Sequence, residues 1–239
     1  RTKTGVRFSG PRGSGKTPSL QHLARALPDH TTFLISADQV CNLPDYMTLA
    51  RLLQPSLVVI EDVDLIARDR TALRSAGEES LLNRLLNEMD GLRPDADLLF
   101  VLTTNHPTML EEALASRPGR VDQAIEFPLP EPEGRAKLTR LYAQSVPLDE
   151  AVVNLVVERT ESVSASFIKE LMRRAIQFAL SRGAEHLRLQ SADVSQALDE
   201  MLIAGGSLNR KLLGAGAHFG FHSHHLAGMN DADGHPHDR

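Results

Sequence analysis

Residues Gly10-Pro11-Arg12-Gly13-Ser14-Gly15-Lys16-Thr17 set glycines, a lysine and a hydroxyl at the spacing G-x-x-x-x-G-K-[ST]. Each residue type has a chemical reason to be there. Glycines let the backbone curl until successive N–H groups point into one concavity, a nest for phosphate oxygens. Lys16 sets a cation against the β and γ phosphates of a nucleotide, and Thr17 offers its hydroxyl to Mg²⁺. Pro11, Arg12 and Ser14 fill the loop, so the candidate nucleotide contacts run from Gly10 to Pro18. At an ordinary glycine usage of about 7%, such a run arises by chance in roughly one chain in a hundred, which argues against a mere turn. One position departs from the pattern. Pro18 follows Thr17 where a backbone N–H would ordinarily reach the α-phosphate, and proline has none. Weaker nucleotide binding is the expected consequence, although the first turn of a helix accepts the ring sterically.

A second cluster lies about 45 residues beyond the loop, where the apolar run Leu57-Val58-Val59-Ile60 ends in Glu61-Asp62. A carboxylate at such a strand end can hold Mg²⁺ directly or through water, and its neighbour can accept a proton from an attacking water. Taken alone, the pair is explained as a solvated strand end. The phosphate loop upstream favours chemistry.

The elements that must position these groups follow from periodicity. Val6-Arg7-Phe8 is a strand that stops at Gly10, and a helix carrying Leu20, Leu23, Ala24 and Leu27 follows. Phe33–Ser36, Leu57–Ile60, Leu98–Thr103 and Ala124–Phe127 complete about five strands. A helix with Tyr46, Leu49, Leu52 and Leu53 separates the second from the third, and Leu81, Leu82, Leu85, Leu86 and Met89 mark another helix, closed by Gly91. Strands alternating with helices predict a parallel α/β sheet covered on both faces, with ligand chemistry at the carboxyl ends of its strands. Pro128, Pro130 and Pro132 then forbid helix and central strand and mark a boundary. Beyond it, apolar residues recur at helical spacing in 134–143, 150–158, 166–182 and 191–203, which predicts a small all-helical domain.

Composition narrows the partners. With 26 Lys plus Arg against 31 Asp plus Glu, the net charge of −5 gives no electrostatic reason to expect nucleic acid or an anionic membrane. The single cysteine, Cys41, rules out an intramolecular disulfide and suits the cytoplasm. The apolar run Leu57–Ile60 is far short of the ~20 residues a membrane helix needs, so no membrane segment is expected. Arg1-Thr2-Lys3-Thr4-Gly5 leads into no signal-like apolar stretch and, lacking an initiator Met, reads as the start of a fragment or a processed chain. His218, His222, His224, His225, His235 and His237 sit among Gly, Asp and Asn, the composition of a disordered tail with incidental metal affinity.

Taken together, roughly residues 5 to 203 resemble the AAA ATPase module, in the branch that carries the second region of homology. Gly10–Thr17 matches its Walker A, Ile60-Glu61-Asp62-Val63-Asp64 its Walker B, and Asn87-Glu88-Met89-Asp90-Gly91 lies in the helix before its fourth strand. Thr103-Thr104-Asn105 matches sensor 1, and Leu114–Asp122 resembles the arginine-finger segment. The resemblance implies that Glu61 joins Thr17 in holding Mg²⁺, that Asp62 activates water, and that Asn105 orients it. It further implies that Arg117 and Arg120 reach into the neighbouring subunit's site. The family usually has Asp then Glu where this chain has Glu61 then Asp62, an order also found among family members. Asp62 is one methylene shorter than the usual Glu, which points to slow turnover. Ser164-Ala165-Ser166-Phe167 stands where the family commonly has Gly-Ala-Asp at sensor 2, and reads equally as a helix N-cap. No aromatic-hydrophobic-glycine pore loop occurs between Ser36 and Tyr46, where Tyr46 reads as packing at a helix start, and no H-E-x-x-H occurs anywhere.

The expectation is therefore a P-loop nucleotide domain over residues 1–129, a helical lid over 130–204 and a Gly/His-rich tail over 205–239. It would hydrolyse ATP with Mg²⁺ between subunits of a homo-oligomer, a hexameric ring, and remodel a protein partner. Pro18 and the Glu61-Asp62 order motivate an alternative, a nucleotide-binding switch or scaffold with little turnover. A DNA-acting clamp loader or helicase shares the loop but finds no support in the charge.

Overall fold

The computed structural model describes residues 4–65, 85, 87, 88, 96–108, 122–183 and 187–201. The five expected strands form: β1 (Thr4–Ser9), β2 (Thr31–Ile35), β3 (Ser56–Ile60), β4 (Leu98–Thr104) and β5 (Gln123–Glu126). They make one sheet in the order β2-β3-β4-β1-β5 with every pair parallel. All five residues of β3 are buried, which is why its sequence shows no polar alternation: both faces of the sheet are covered.

The cover on each face comes from neighbouring segments of the chain. Helix α1 (Lys16–Ala26) lays Leu20, with Leu23 and Ala24, against Phe8, Leu57, Val59 and Val101. On the other face, Val40, Leu43 and Met47 pack on Ile35, Val58, Ile60, Phe100 and Leu102. Leu43 and Met47 belong to helix α2 (Leu43–Leu52), and Tyr46 packs partly buried against the same cluster. A 3-10 helix, Ala37–Asn42, precedes α2 and is started by a capping box of Ser36 and Gln39 that periodicity does not reveal.

After the sheet come α3 (Pro132–Ala143), α4 (Glu150–Arg159), α5 (Ala165–Ser181) and α6 (Ser191–Asp199), close to the expected helical segments. One expectation needs correcting. The proline run does not keep helix out as far as residue 132, because α3 opens on Pro132 itself, where the missing N–H is one that a helix leaves unused. In α5 the buried residues Phe167, Ile168, Leu171, Met172, Ala175 and Ala179 fall on one stripe and share a core with Val152 and Val156 of α4 and Val194 and Leu198 of α6. Each such large apolar side chain contributes about 1.5–3 kcal/mol on burial.

Of the expected helix over Leu81–Gly91, only Leu85, buried in the sheet core, Asn87 and Glu88 are among the described residues. Arg117, Arg120, the Leu114–Val121 segment and the tail histidines lie outside them. Among the described residues no helix is long and apolar enough to cross a membrane.

Candidate nucleotide site

The strand order decides which loops meet. β1 lies beside β4, and β4 beside β3, so the segments leaving their carboxyl ends are the phosphate loop, Asn105 and Glu61-Asp62 in spatial succession. Chain order reverses at β1, and in parallel α/β sheets that crevice is where ligands bind. The loop is tied down by the Gly10 N–H, which donates to the Thr104 carbonyl at 3.3 Å. Gly10 has φ of +151°, and a Cβ there would collide with the Phe127 carbonyl, so neither conformation nor space admits a side chain.

Lys16 stands at the centre of the loop, only 7% exposed. Its Nζ donates to the Gly10 carbonyl at 2.8 Å, the Pro11 carbonyl at 3.0 Å and Asn105 Oδ1 at 2.8 Å. Burial pulls the ammonium pKa below its ordinary value, while Asp62 and Asp64 oppose that shift and Arg12 adds to it. Asn105 faces both ways: its Nδ2 donates to Asp62 Oδ1 at 2.8 Å. A continuous polar line thus runs from Lys16 through Asn105 to Asp62, across 89 and then 43 residues of sequence. Asp62 takes a left-handed φ of 52°, a conformation that Asp and Asn tolerate best among residues with a side chain, and its N–H is held by Thr103 Oγ1 at 3.0 Å.

Thr17 Oγ1 donates to Glu61 Oε1 at 2.9 Å. One hydroxyl and one carboxylate side by side form a hard, oxygen-only donor set. It fits Mg²⁺, which takes one or two protein oxygens and keeps the rest of its octahedral shell for water and phosphate. Arg12, Gly13, Gly15, Lys16, Thr17 and Pro18 line one wall of a cleft of about 440 Å³, with Glu61, Asp62, Thr103 and Asn105 opposite. Pro18 is the third residue of α1, so the ring is accommodated as expected. The structure brings together every described residue of the expected site except Pro11 and Gly10, which hold Lys16 from behind, and Ser14, whose N–H closes the loop onto the Pro11 carbonyl at 3.3 Å.

Three residues of this region, Asp64, Tyr142 and Lys169, escape sequence reasoning, and a fourth, Ser166, enters it only through the sensor 2 resemblance. Asp64 is 1% exposed, and its Oδ1 accepts from the Asn105 N–H at 2.9 Å and from Thr104 Oγ1 at 3.1 Å. It fixes where β4 ends and therefore where Asn105 projects. The only sequence signal is a third acid two residues after Asp62. Asp64→Ala should lower unfolding free energy by about 2 kcal/mol, since a buried hydroxyl and a half-buried backbone N–H lose their acceptor, whereas Asp64→Asn keeps an acceptor oxygen and should cost less than half of that. Urea denaturation of both variants checks the ordering.

The other three come from the helices. Tyr142 of α3 and Ser166 and Lys169 of α5 line the same cleft. Ser164 is the N-cap of α5, its Oγ accepting from the Phe167 N–H at 3.3 Å, in keeping with the N-cap reading. The next exposed N–H, that of Ser166, donates to the Gly13 carbonyl at 3.1 Å. Gly13 has φ of +74°, and a Cβ there would run into the Ser166 hydroxyl, so the phosphate loop and α5 meet backbone to backbone.

A parallel sheet with this strand order, a glycine-rich loop entering α1 and carboxylates at the end of β3 defines a P-loop nucleotide-binding domain. Residues 6–129 match the model of the ATPase family associated with various cellular activities (AAA), and the chain belongs to that family. Over 229 residues it is 33% identical to the ATP-dependent zinc metalloprotease FtsH 3 of Sphaerobacter thermophilus, covering 90% of this chain and 45% of the relative. It is 31% identical over 211 residues to the proteasome-activating nucleotidase of Sulfurisphaera tokodaii, covering 82% of this chain and 53% of that protein. A Thermus thermophilus FtsH metalloprotease is 30% identical over 85% of this chain and 34% of its own length. The chain therefore spans about half, or less, of these relatives. Family membership implies that the nucleotide is ATP.

Proposed function

We propose that this chain is the motor module of a homo-oligomer, a hexameric ring, that hydrolyses ATP with Mg²⁺ to remodel a protein partner. The observation that carries the reading is the Lys16–Asn105–Asp62 line across three strand ends. It sets a cation for phosphate, an amide and a carboxylate side by side. ATP would lie in the cleft with its phosphates against the loop from Gly10 to Thr17. Thr17 and Glu61 would hold Mg²⁺, which supplies charge neutralisation at the phosphates. Asp62 accepts the proton of the attacking water at its Oδ atoms, and the Asn105 amide fixes that carboxylate and the water's direction.

The domain division 1–129 and 130–204 belongs to this reading, supported by the separate apolar cores of sheet and helices. So does a cytoplasmic setting, supported by the exposed, unpaired Cys41. The names of the relatives, metalloproteases and a proteasome activator, support work on a protein substrate. No H-E-x-x-H zinc motif occurs in these 239 residues, so any proteolysis would be another chain's or another segment's.

Steady phosphate release from ATP, absent from a Lys16→Ala variant, is the expected result. ATP binding without release would favour the switch or scaffold.

The ring carries its own prediction. Arg117 and Arg120 are assigned to stabilise charge on a phosphate bound by the next subunit, so Arg117→Ala should bind ATP normally and hydrolyse it slowly. Lys16→Ala subunits hold no nucleotide but keep their fingers. Mixing the two inactive variants creates interfaces where a working pocket faces a working finger, and activity should partly return. If they co-assemble and stay inactive, the shared-site mechanism fails.

A further inference from the structure

We propose that a second cleft, behind Lys16 and floored by Arg7, Ser9 and Glu126, binds inorganic phosphate and receives it from the nucleotide cleft after hydrolysis. The proposal rests on the ATP reading of the first cleft. The second measures about 480 Å³, and Gly10, Pro11 and Asn105 form its inner wall. Those are the residues whose oxygens accept from Lys16 Nζ, so this cleft begins where the bonds of the ammonium end. Among the described lining residues, Asn105 alone borders both clefts.

The floor follows from the pleat of β1. Phe8 packs with the residues of α1, so Arg7 and Ser9 on either side of it turn to the opposite face. On that face β4 is apolar, with Phe100 and Leu102 in the sheet core, and the change to polar side chains falls at β1. The parallel register sets Ala124 of β5 beside Arg7 and Glu126 beside Ser9, and all four residues of β5 are exposed. Packing does not explain a charge and a hydroxyl on a strand that is paired on both sides, because such strands of parallel sheets are ordinarily apolar on both faces. A polar ligand on that face does.

The chemistry of the floor selects the ligand. The Arg7 guanidinium, half-buried, has the planar fork that matches an oxyanion. Ser9 Oγ, 5% exposed, donates to the Ile125 carbonyl at 3.5 Å, a bond so long that a nearer anion displaces it. Glu126 decides which oxyanion enters. Its carboxylate is engaged by no donor or cation among the described residues, and it can only accept. It repels sulfate, which carries no proton at neutral pH, whereas inorganic phosphate keeps one and can donate its P–OH to the carboxylate. Hydrolysis leaves ADP along the loop, filling the way in, and phosphate beside Lys16 and Asn105. Arg7 is the cation on the far side of Asn105.

Titration calorimetry of the 239-residue chain, saturated with Mg²⁺ and the non-hydrolysable analogue AMP-PNP so that the first cleft is filled, tests the assignment. Phosphate should still bind, with sulfate at least about tenfold weaker. Arg7→Ala should weaken phosphate by about tenfold or more, and Arg7→Lys should recover part of the loss. Glu126→Gln should bring sulfate within about threefold of phosphate, since an amide can donate to either anion. All three variants should bind AMP-PNP as the parent does. The proposal is overturned if no phosphate binds beside the analogue, if phosphate and the analogue exclude one another, if sulfate binds the parent as well as phosphate does, or if the variants leave both anions unchanged. Should Arg7→Ala not fold, Glu126→Gln, on an exposed edge strand, decides through the ratio of the two anions. A parent chain that does not bind AMP-PNP refutes the nucleotide reading, a different failure, and the same ratio in Lys16→Ala, whose loop has lost its cation, then reports on the second cleft alone.

Discussion

Lys16→Ala is expected to weaken ATP binding by about 100-fold or more, which corresponds to roughly 3 kcal/mol. The size follows from geometry. Lys16 is the cation enclosed by the loop, held between the Gly10 and Pro11 carbonyls and the Asn105 amide oxygen, whereas Arg12 and Lys169 stand on the rim. Removing it leaves the phosphates of ATP facing the carboxylates Glu61 and Asp62 with no buried counter-charge. The loss should fall on binding and not on folding, because the substitution also takes a desolvated charge out of the protein. Calorimetry shows the affinity, and a thermal melt shows whether the fold survives. Unchanged affinity in a folded variant would remove the phosphate-loop assignment.

Asp62→Asn is expected to leave ATP affinity within about threefold of the parent while lowering kcat by 10² to 10⁴, roughly the share that a positioned general base supplies. Asn tolerates the left-handed backbone that Asp62 adopts, and its amide oxygen still accepts from Asn105 Nδ2. What disappears is the basicity of the carboxylate, together with its charge beside Lys16. The parallel substitution Glu61→Gln should instead weaken the dependence on Mg²⁺, because it takes the charge from the carboxylate that Thr17 touches. If Glu61→Gln stops chemistry with Mg²⁺ affinity intact, the two carboxylates have exchanged roles. Single-turnover hydrolysis with a Mg²⁺ titration separates these results.

These variants act on residues legible before any coordinates. Gly10–Thr17 and Glu61-Asp62 are local patterns, and a local pattern is sufficient where the chemistry is made by backbone curvature or by two adjacent side chains. The strands were legible for a related reason. β3 is buried on both faces, so Leu57–Ile60 had to be a continuous apolar run. The helices after Pro132 were legible because each carries a repeating apolar stripe. The start of α3 is not legible in the same way, because Pro132 reads as a helix breaker by residue type yet stands at the first helical position, where its missing N–H costs nothing.

By itself, then, the sequence determined the phosphate loop, the carboxylates, the parallel α/β class and the succession of elements, since each is written in neighbouring residues or in a period of two or 3.6. Only the tertiary structure decided that β4 lies between β1 and β3, and hence that Asn105 joins Lys16 to Asp62. It alone turned Asp64 inward to hold Asn105, and set Ser166 and Lys169 of α5 against a loop about 150 residues earlier in the chain. Such contacts have no spacing to read. They form because apolar cores that are distant in sequence close on one another, and the polar groups at their edges are paired afterwards by whatever the packing brings within 3 Å or so.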